Sequence, residues 1–443
     1  MKHDLTKAEL RDILVERDSI EKDDFFVLKL HVVPNENLTL EEAAVRILLI
    51  LTGRTMIRLP YETPDIRKRS NGHILGLDVQ AKTVEIALPR QLCSAQEGLT
   101  HLFTLLCSAA EYNYTREFWV DNIDFPTPFV SAYPGPRFGI AGLRHQFGPS
   151  AQSRPLIGII FKPRAGVPLA RILPLLREAL IGGCDFIADD LLLVDREGEA
   201  PFAERVQAVT RMIRELSTDL GTPKGYFVNI GTDVWKAAKL ADQAIAFGAS
   251  GLVLNGFTMG FGSMAELIDH VDGRVPTITA NMGGGILTRP RLLTEPGKPT
   301  GVSETVISKF SRIAGADAVH AGTSASECYG GDAWGPATRA LRSPFFTLKP
   351  VFAVAEGDLN IANLWENIRS LGRDVILEPT SGILAAPGGP RQAAAIFRAL
   401  AARLSDDMSE EEAAKTIDAF AQENRALKVA AMLDHFGYIR PGK

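Results

Sequence analysis

With 443 residues, 46% hydrophobic and 23% charged, the chain has the balance of an ordinary globular protein and the length for two domains. A net charge of −5 without a basic run argues against nucleic acid as a partner, and no apolar stretch approaches the roughly 20 residues that span a bilayer. The charged opening MKHDLTKAELRDILVERD lacks the apolar centre of a signal peptide, and Cys93, Cys107, Cys184 and Cys328 form no CxxC pair, so a reducing, cytoplasmic setting is expected.

Along the first 145 residues, DDFFVLKLHVVP reads as a strand, TLEEAAVRILLILTG as a helix, TVEIALP as a strand and LTHLFTLLCSAAEY as a helix. This is an α+β N-terminal domain, and the Pro- and Gly-rich FPTPFVSAYPGPRFG (125–139) is the expected passage out of it. From about residue 155 short apolar strands alternate with amphipathic helices. The strands are PLIGIIFKP, CDFIADD, GYFVNIG, SGLVLNG, PTITAN, ADAVHAG, TLKPVFAVA and DVILEPTSG, and helices are expected at 168–181, 201–217, 233–247, 303–314 and 390–404. Strands apolar on both faces imply a parallel sheet covered by helices. Eight units over about 250 residues match a (β/α)₈ barrel, placed at 146–405, with a helical extension at 406–443. A doubly wound sheet is the alternative, but the glycine fingerprint it would prefer after the first strand is replaced by Lys162, Pro163 and Arg164.

Barrels of this type do chemistry at the carboxyl ends of their strands. There the chain places Lys162 and Arg164, then Asp189 and Asp190, Asn229, Asn255, Asn281, His320, Glu356, and finally Glu378 with Thr380 and Ser381. Because side chains alternate faces, Phe186, Ala188 and Asp190 share one face of the second strand while Asp185, Ile187 and Asp189 share the other. One acid of the pair therefore points into the barrel and the other away, and Asp189 is expected to be a solvated loop residue. Polar residues at strand ends also serve as caps and loop starts. A lysine straight after IIF is harder to read that way, because burying an unpaired ammonium is costly. The small residues of EPTSGILAAPGGP suit a phosphate, since backbone N–H groups can approach an anion there.

These stretches carry a resemblance. GIIFKPRAGVPLARILPLLREALIGGCDFIADD, KGYFVNIGTD, GADAVHAGT and PGGPRQAA resemble the large subunit of ribulose-1,5-bisphosphate carboxylase/oxygenase, RuBisCO. FFVLKLHVVPNENLTLEEAAVRILLILTG and NIDFPTPFVSAYPGPRFGIAGLR resemble its first domain, so the likeness runs over nearly the whole chain in order. The family's strand-two motif is Lys-Asp-Asp-Glu, whose carbamylated lysine joins Asp and Glu in holding magnesium. Those positions are Ala188, Asp189, Asp190 and Leu191, which leaves Asp190 as the one retained ligand, with Asp189 as the remaining option. The family's catalytic lysine corresponds to Lys162 and its strand-six histidine to His320. Ala280, Asn281 and Gly284, with Arg289 beyond, replace its strand-five histidines. Glu327 stands near the place of its mobile-loop lysine, Glu356, Gly357 and Asp358 replace a phosphate-binding Ser-Gly-Gly, and Thr380, Ser381 and Gly382 replace a glycine run. A catalytic glutamate of the first domain becomes Leu49, with Arg54 just beyond.

The resemblance therefore implies a divergent RuBisCO-like protein and not a carboxylase. Expected is enolate chemistry on a phosphorylated keto sugar acid, as a decarboxylase or a transcarboxylase and hydrolase on a substrate like 3-oxo-isoapionate 4-phosphate. Lys162, Asp190, His320 and Glu378 are the catalytic candidates. Arg54, Arg164, Asn229, Asn281, Arg289, Glu327, Glu356, Gly357, Thr380, Ser381 and Gly382 are the substrate-binding candidates. No cofactor is expected, since most of the magnesium ligands are gone. The alternatives are an enolase or isomerase of a methylthioribulose-type phosphate, with a metal site rebuilt from Asp189, Asp190 and Glu327, and a sugar-phosphate-binding protein that has lost catalysis. The family's shared active sites imply a homodimer.

Overall fold

The computed structural model describes residues 12–53, 59–63, 65–66, 70–288, 300–323 and 334–438. They form two compact units: 1–134 with 260–262 and 283–313, and 135–259 with 263–282 and 314–443.

The first unit is built on a five-stranded sheet in the order β10-β4-β1-β3-β2. The strands are β1 (Phe25–Pro34), β2 (His73–Asp78), β3 (Thr83–Pro89), β4 (Thr115–Asp124) and β10 (Thr300–Val302). Along β1, Phe26, Leu28, Leu30 and Val32 alternate onto the buried face. The helix Leu40–Leu51 starts at a capping box, in which Thr39 Oγ1 accepts the Glu42 N–H and the Glu42 carboxylate accepts the Thr39 N–H. Strands β2, β4 and β10 were not among the expected elements. β10 has three residues and pairs in parallel with β4, some 180 positions earlier, so no local pattern announces it.

The second unit is a closed barrel of eight parallel strands, β11-β12-β13-β5-β6-β7-β8-β9. They are β5 (Leu156–Ile160), β6 (Phe186–Ala188), β7 (Gly225–Asn229), β8 (Gly251–Asn255), β9 (Thr277–Ala280), β11 (Ala318–His320), β12 (Phe352–Glu356) and β13 (Val375–Glu378). All eight are the expected strands, and the helices Leu169–Gly182, Phe202–Leu220, Val234–Ala246 and Gly389–Arg403 fall where periodicity put them. Leu156, Phe186, Phe227, Val253, Ile278, Ala318, Phe352 and Ile376 fill the interior, so the barrel is a packed core with its polar groups left to the rims. Gly158 is needed here, because a Cβ on it would meet the Phe186 ring at 2.5 Å.

The division falls at 134/135 and not at 145/146. The helix Gly139–Gln146 belongs with the barrel: Leu143 and Phe147 join the barrel core, and Asp317 accepts the N–H groups of Phe138 and Gly139 at 2.7 Å. The helix Glu304–Ile313, expected to cover the barrel, belongs to the first unit. Residues 406–443 group with the barrel, where the described part forms the helices Glu410–Glu423 and Val429–His435. Among the described residues no helix is long and apolar enough to cross a membrane.

Candidate functional site

Strand alternation turns Asp190 inward and Asp189 outward, as the period of two requires. Asp190 is 2% exposed, and its Oδ2 lies 2.9 Å from Lys162 Nζ, at the end of the neighbouring strand. Arg164 Nη1 stands 3.9 Å from the other oxygen, which also accepts the Leu192 N–H at 2.8 Å. Lys162 and Arg164 remain 40% and 47% exposed, so two cations reach the mouth from one fully buried carboxylate.

Asp189 is a correction: it is buried, not solvated. Its carboxylate accepts the Tyr226 hydroxyl at 2.7 Å, the Asn229 N–H at 3.0 Å and the Arg205 guanidinium at 3.2 Å. Burial alone would lower the Arg205 pKa, but the facing Asp189 carboxylate and Tyr226 raise it overall. Both Asp189 oxygens are engaged on the outer face of the sheet, so Asp189 cannot join Asp190 around an ion at the mouth. Asn229 is likewise spent within the fold. Its Nδ2 is shared among the carbonyls of Asp190, Leu191 and Leu193, and its Oδ1 accepts the Gly231 N–H.

A second cluster stands on the last three strands. His320 Nδ1 is 2.7 Å from Glu356 Oε2, and His320 Nε2 is 3.7 Å from Glu378 Oε2. Strand register sets this, with Glu356 paired to Glu378 and His320 to Val354. Burial alone would lower the imidazole pKa, but the hydrogen bond and charge of Glu356 raise it overall. The same contact outweighs burial at Glu356 and lowers its carboxyl. Burial pushes the Glu378 carboxyl up to about 7, and neither of its oxygens has a hydrogen-bond partner among the described residues. Asp190 and the second cluster line one cavity with Ile160, Ala188, Asp189, Leu191 and Val253; it holds about 10 Å³, near the minimum for a single water.

The other candidates scatter. Asn281 is at the mouth, and its Oδ1 is buried without a partner among the described residues. Thr380 Oγ1 accepts the Ile160 N–H at 2.8 Å, which ties β13 to β5. Ser381 is exposed, and Gly382 packs so closely on the loop after β12 that a Cβ would meet Leu359 O at 2.7 Å. Gly357 holds a positive φ of 100°, and its carbonyl accepts the Thr323 hydroxyl. Leu49 is 1% exposed, a core residue on its helix. Arg54, Arg289 and Glu327 lie outside the described residues. Reading the sequence missed Arg205 and Tyr226, and the only signal for them was the outward parity of Asp189, which demanded a buried partner.

The magnesium that the resemblance implies does not fit. Ala188 and Leu191 carry no ligand atom, Asp189 is turned to Arg205, and Asp190 is paired with Lys162.

A closed (β/α)₈ barrel with acids, cations and a histidine gathered at the carboxyl ends of its strands, together with an α+β unit, defines the class: a barrel protein with a mouth site. The model of the ribulose bisphosphate carboxylase large chain, catalytic domain, matches residues 139–432, and the chain belongs to that family. It is 25% identical to a ribulose bisphosphate carboxylase of Methanosarcina barkeri, over 92% of this chain and 97% of that one. It is 30% identical to ribulose bisphosphate carboxylase-like protein 2 of Rhodopseudomonas palustris, over 63% of this chain and 62% of the other. Among solved structures, the octameric Rubisco of Pyrococcus horikoshii matches with a TM-score of 0.83 at 21% identity, covering 97% of this chain and 98% of that one. The dimeric archaeal Rubisco of Hyperthermus butylicus matches at 0.81 and 23%, covering 97% and 100%.

Proposed function

We propose that this chain acts on a phosphorylated keto sugar acid through an enolate, as a decarboxylase or a transcarboxylase and hydrolase on a substrate like 3-oxo-isoapionate 4-phosphate. It does not fix carbon dioxide on ribulose bisphosphate. The observation that carries this reading is the Lys162–Asp190 pair at 2.9 Å, a half-exposed ammonium held at the barrel mouth by a buried carboxylate. A β-keto acid carries its own electron sink, so breaking the bond to the carboxyl carbon needs only a cation beside the developing enolate oxygen. The electron pair of that bond becomes the enolate, carbon dioxide leaves, and an ammonium proton of Lys162 returns to the carbon. Asp190 positions Lys162, and Arg164 is the neighbouring cation for a carboxylate or phosphate oxygen.

The test is carbon dioxide release from a panel of phosphorylated β-keto sugar acids by wild type and Lys162→Met, with ribulose bisphosphate and labelled bicarbonate as the negative control. Turnover of one panel member that falls at least about 10²-fold in the variant supports the reading. Turnover unaffected by the variant, or carboxylation of ribulose bisphosphate, refutes it. The absence of ligand atoms at Ala188 and Leu191 favours a second reading, a sugar-phosphate-binding protein without catalysis. Tight binding of a panel member with no turnover of any would establish it.

A homodimer is part of the proposal, because the family completes each active site with the first domain of a second subunit, and the archaeal neighbours are described as dimeric and octameric. Light scattering that found a 48.1 kDa particle would refute it.

A further inference from the structure

We propose that His320 and Glu378, with Glu356 holding the imidazole, bind one divalent first-row transition-metal ion, on strands six to eight of the barrel and not through the strand-two ligands by which the family holds its magnesium. Each of the three offers a donor atom within 4.8 Å of the others. His320 Nε2 and Glu378 Oε2 are 3.7 Å apart, and ligands about 2.1 Å from a common ion stand roughly 3–4 Å from each other.

Three observations single this cluster out from acids that merely lie close together. Glu378 is 2% exposed, faces the cavity, and has no hydrogen-bond partner on either oxygen among the described residues. A buried carboxylate in that state lacks the hydrogen-bond donors that buried charges otherwise find, and its one ion-pair partner among the described residues is the His320 ring at 3.7 Å. Next, Glu356 sits 2.7 Å from Nδ1, so the Nδ1–H donates to it and the Nε2 lone pair is left facing Glu378. A carboxylate that fixes the tautomer of an imidazole in this way is the usual support of a metal-binding histidine. Finally, the cavity of about 10 Å³ suits one water-sized particle and not a sugar.

The donor set selects the ion. An imidazole with a carboxylate suits zinc, manganese, iron or cobalt, whereas magnesium and calcium prefer oxygen alone. The ion would complement the Glu378 charge in the cavity that Asp190 also lines. Its role as a second cation for a keto oxygen rests on the function proposed above, but its binding does not.

The experiment is therefore a binding measurement without substrate. Chelator-treated, dialysed full-length protein is titrated with Mn²⁺, followed by electron paramagnetic resonance, and with Zn²⁺ by calorimetry. The wild type, Glu378→Gln, His320→Ala, Lys162→Met and His101→Ala are compared, each first shown by its melting curve to be folded. One ion per chain, with affinity lowered at least about 10-fold in Glu378→Gln and His320→Ala, not lowered in Lys162→Met and unchanged in His101→Ala, supports the site. Absence of stoichiometric binding overturns it. So does binding that survives both site variants, or that is lost instead with His101, which belongs to the cluster of buried Cys93 with exposed Glu97 and His101. Lost turnover in Lys162→Met bears on the function alone, and lost metal binding in Glu378→Gln bears on the site alone.

Discussion

Arg205 offers the sharpest test of how the mouth is held. Its guanidinium and the Asp189 carboxylate are both 0% exposed at the side chain, and Arg205 also donates to the carbonyls of Ala200 and Val194. Arg205→Met keeps the helix former and the apolar stem but leaves Asp189 in the interior with only the Tyr226 hydroxyl and the Asn229 N–H. Removing one partner of a buried ion pair costs about 3–5 kcal/mol, because the remaining charge is stranded. For a unit of this size, 1 kcal/mol corresponds to roughly 2 °C of melting temperature, so a fall of roughly 6–10 °C is expected. The double variant Asp189→Asn/Arg205→Met removes the stranded charge and should recover more than half of that fall. Differential scanning calorimetry of the three proteins at neutral pH decides it. A single variant within 1–2 °C of wild type, or a double variant no better than the single, would show that Asp189 does not depend on Arg205.

Further outcomes are expected elsewhere. Burial raises the thiols of Cys93 and Cys184 to about 12, so at pH 8 only about 10⁻⁴ of each is thiolate. Peptide mapping after brief alkylation of the native protein should find both unmodified, and rapid labelling of either would contradict the packing. Gly182→Ala would bring a Cβ to 2.2 Å from the Arg391 carbonyl, where two barrel helices meet; about 1–3 kcal/mol should be lost, measured by urea unfolding. Lys224 is buried, and burial lowers its pKa from 10.5. The unfolded chain then holds this proton more tightly than the folded one, so stability rises with pH between the lowered value and 10.5. Lys224→Met should remove that rise, which melting curves across this range would register as a flat difference if the lysine did not contribute.

Much of the site was legible from two periodicities. Apolar runs of strand length separated by helix-length amphipathic segments implied eight strands, and the alternation along β6 put Asp190 and Asp189 on opposite faces. Local chemistry sufficed there, because both signals depend on backbone geometry alone. The partners were not legible. Nothing near Asp189 names Arg205, 16 residues on, or Tyr226, 37 residues on, as the groups that bury it. In the sequence Glu356 stood in the place of a phosphate-binding serine, yet on the strand beside β11 it is the residue that holds the His320 ring.

What the sequence determined by itself is therefore the family, the barrel and the loss of the strand-two metal ligands, since each follows from residue identity and order. Only the tertiary structure decided that the domain boundary precedes Gly135, that 283–313 joins the first unit, and that His320, Glu356 and Glu378 converge. Those outcomes depend on which distant strands pair and in what register, and pairing energy comes from contacts between segments that share no local pattern.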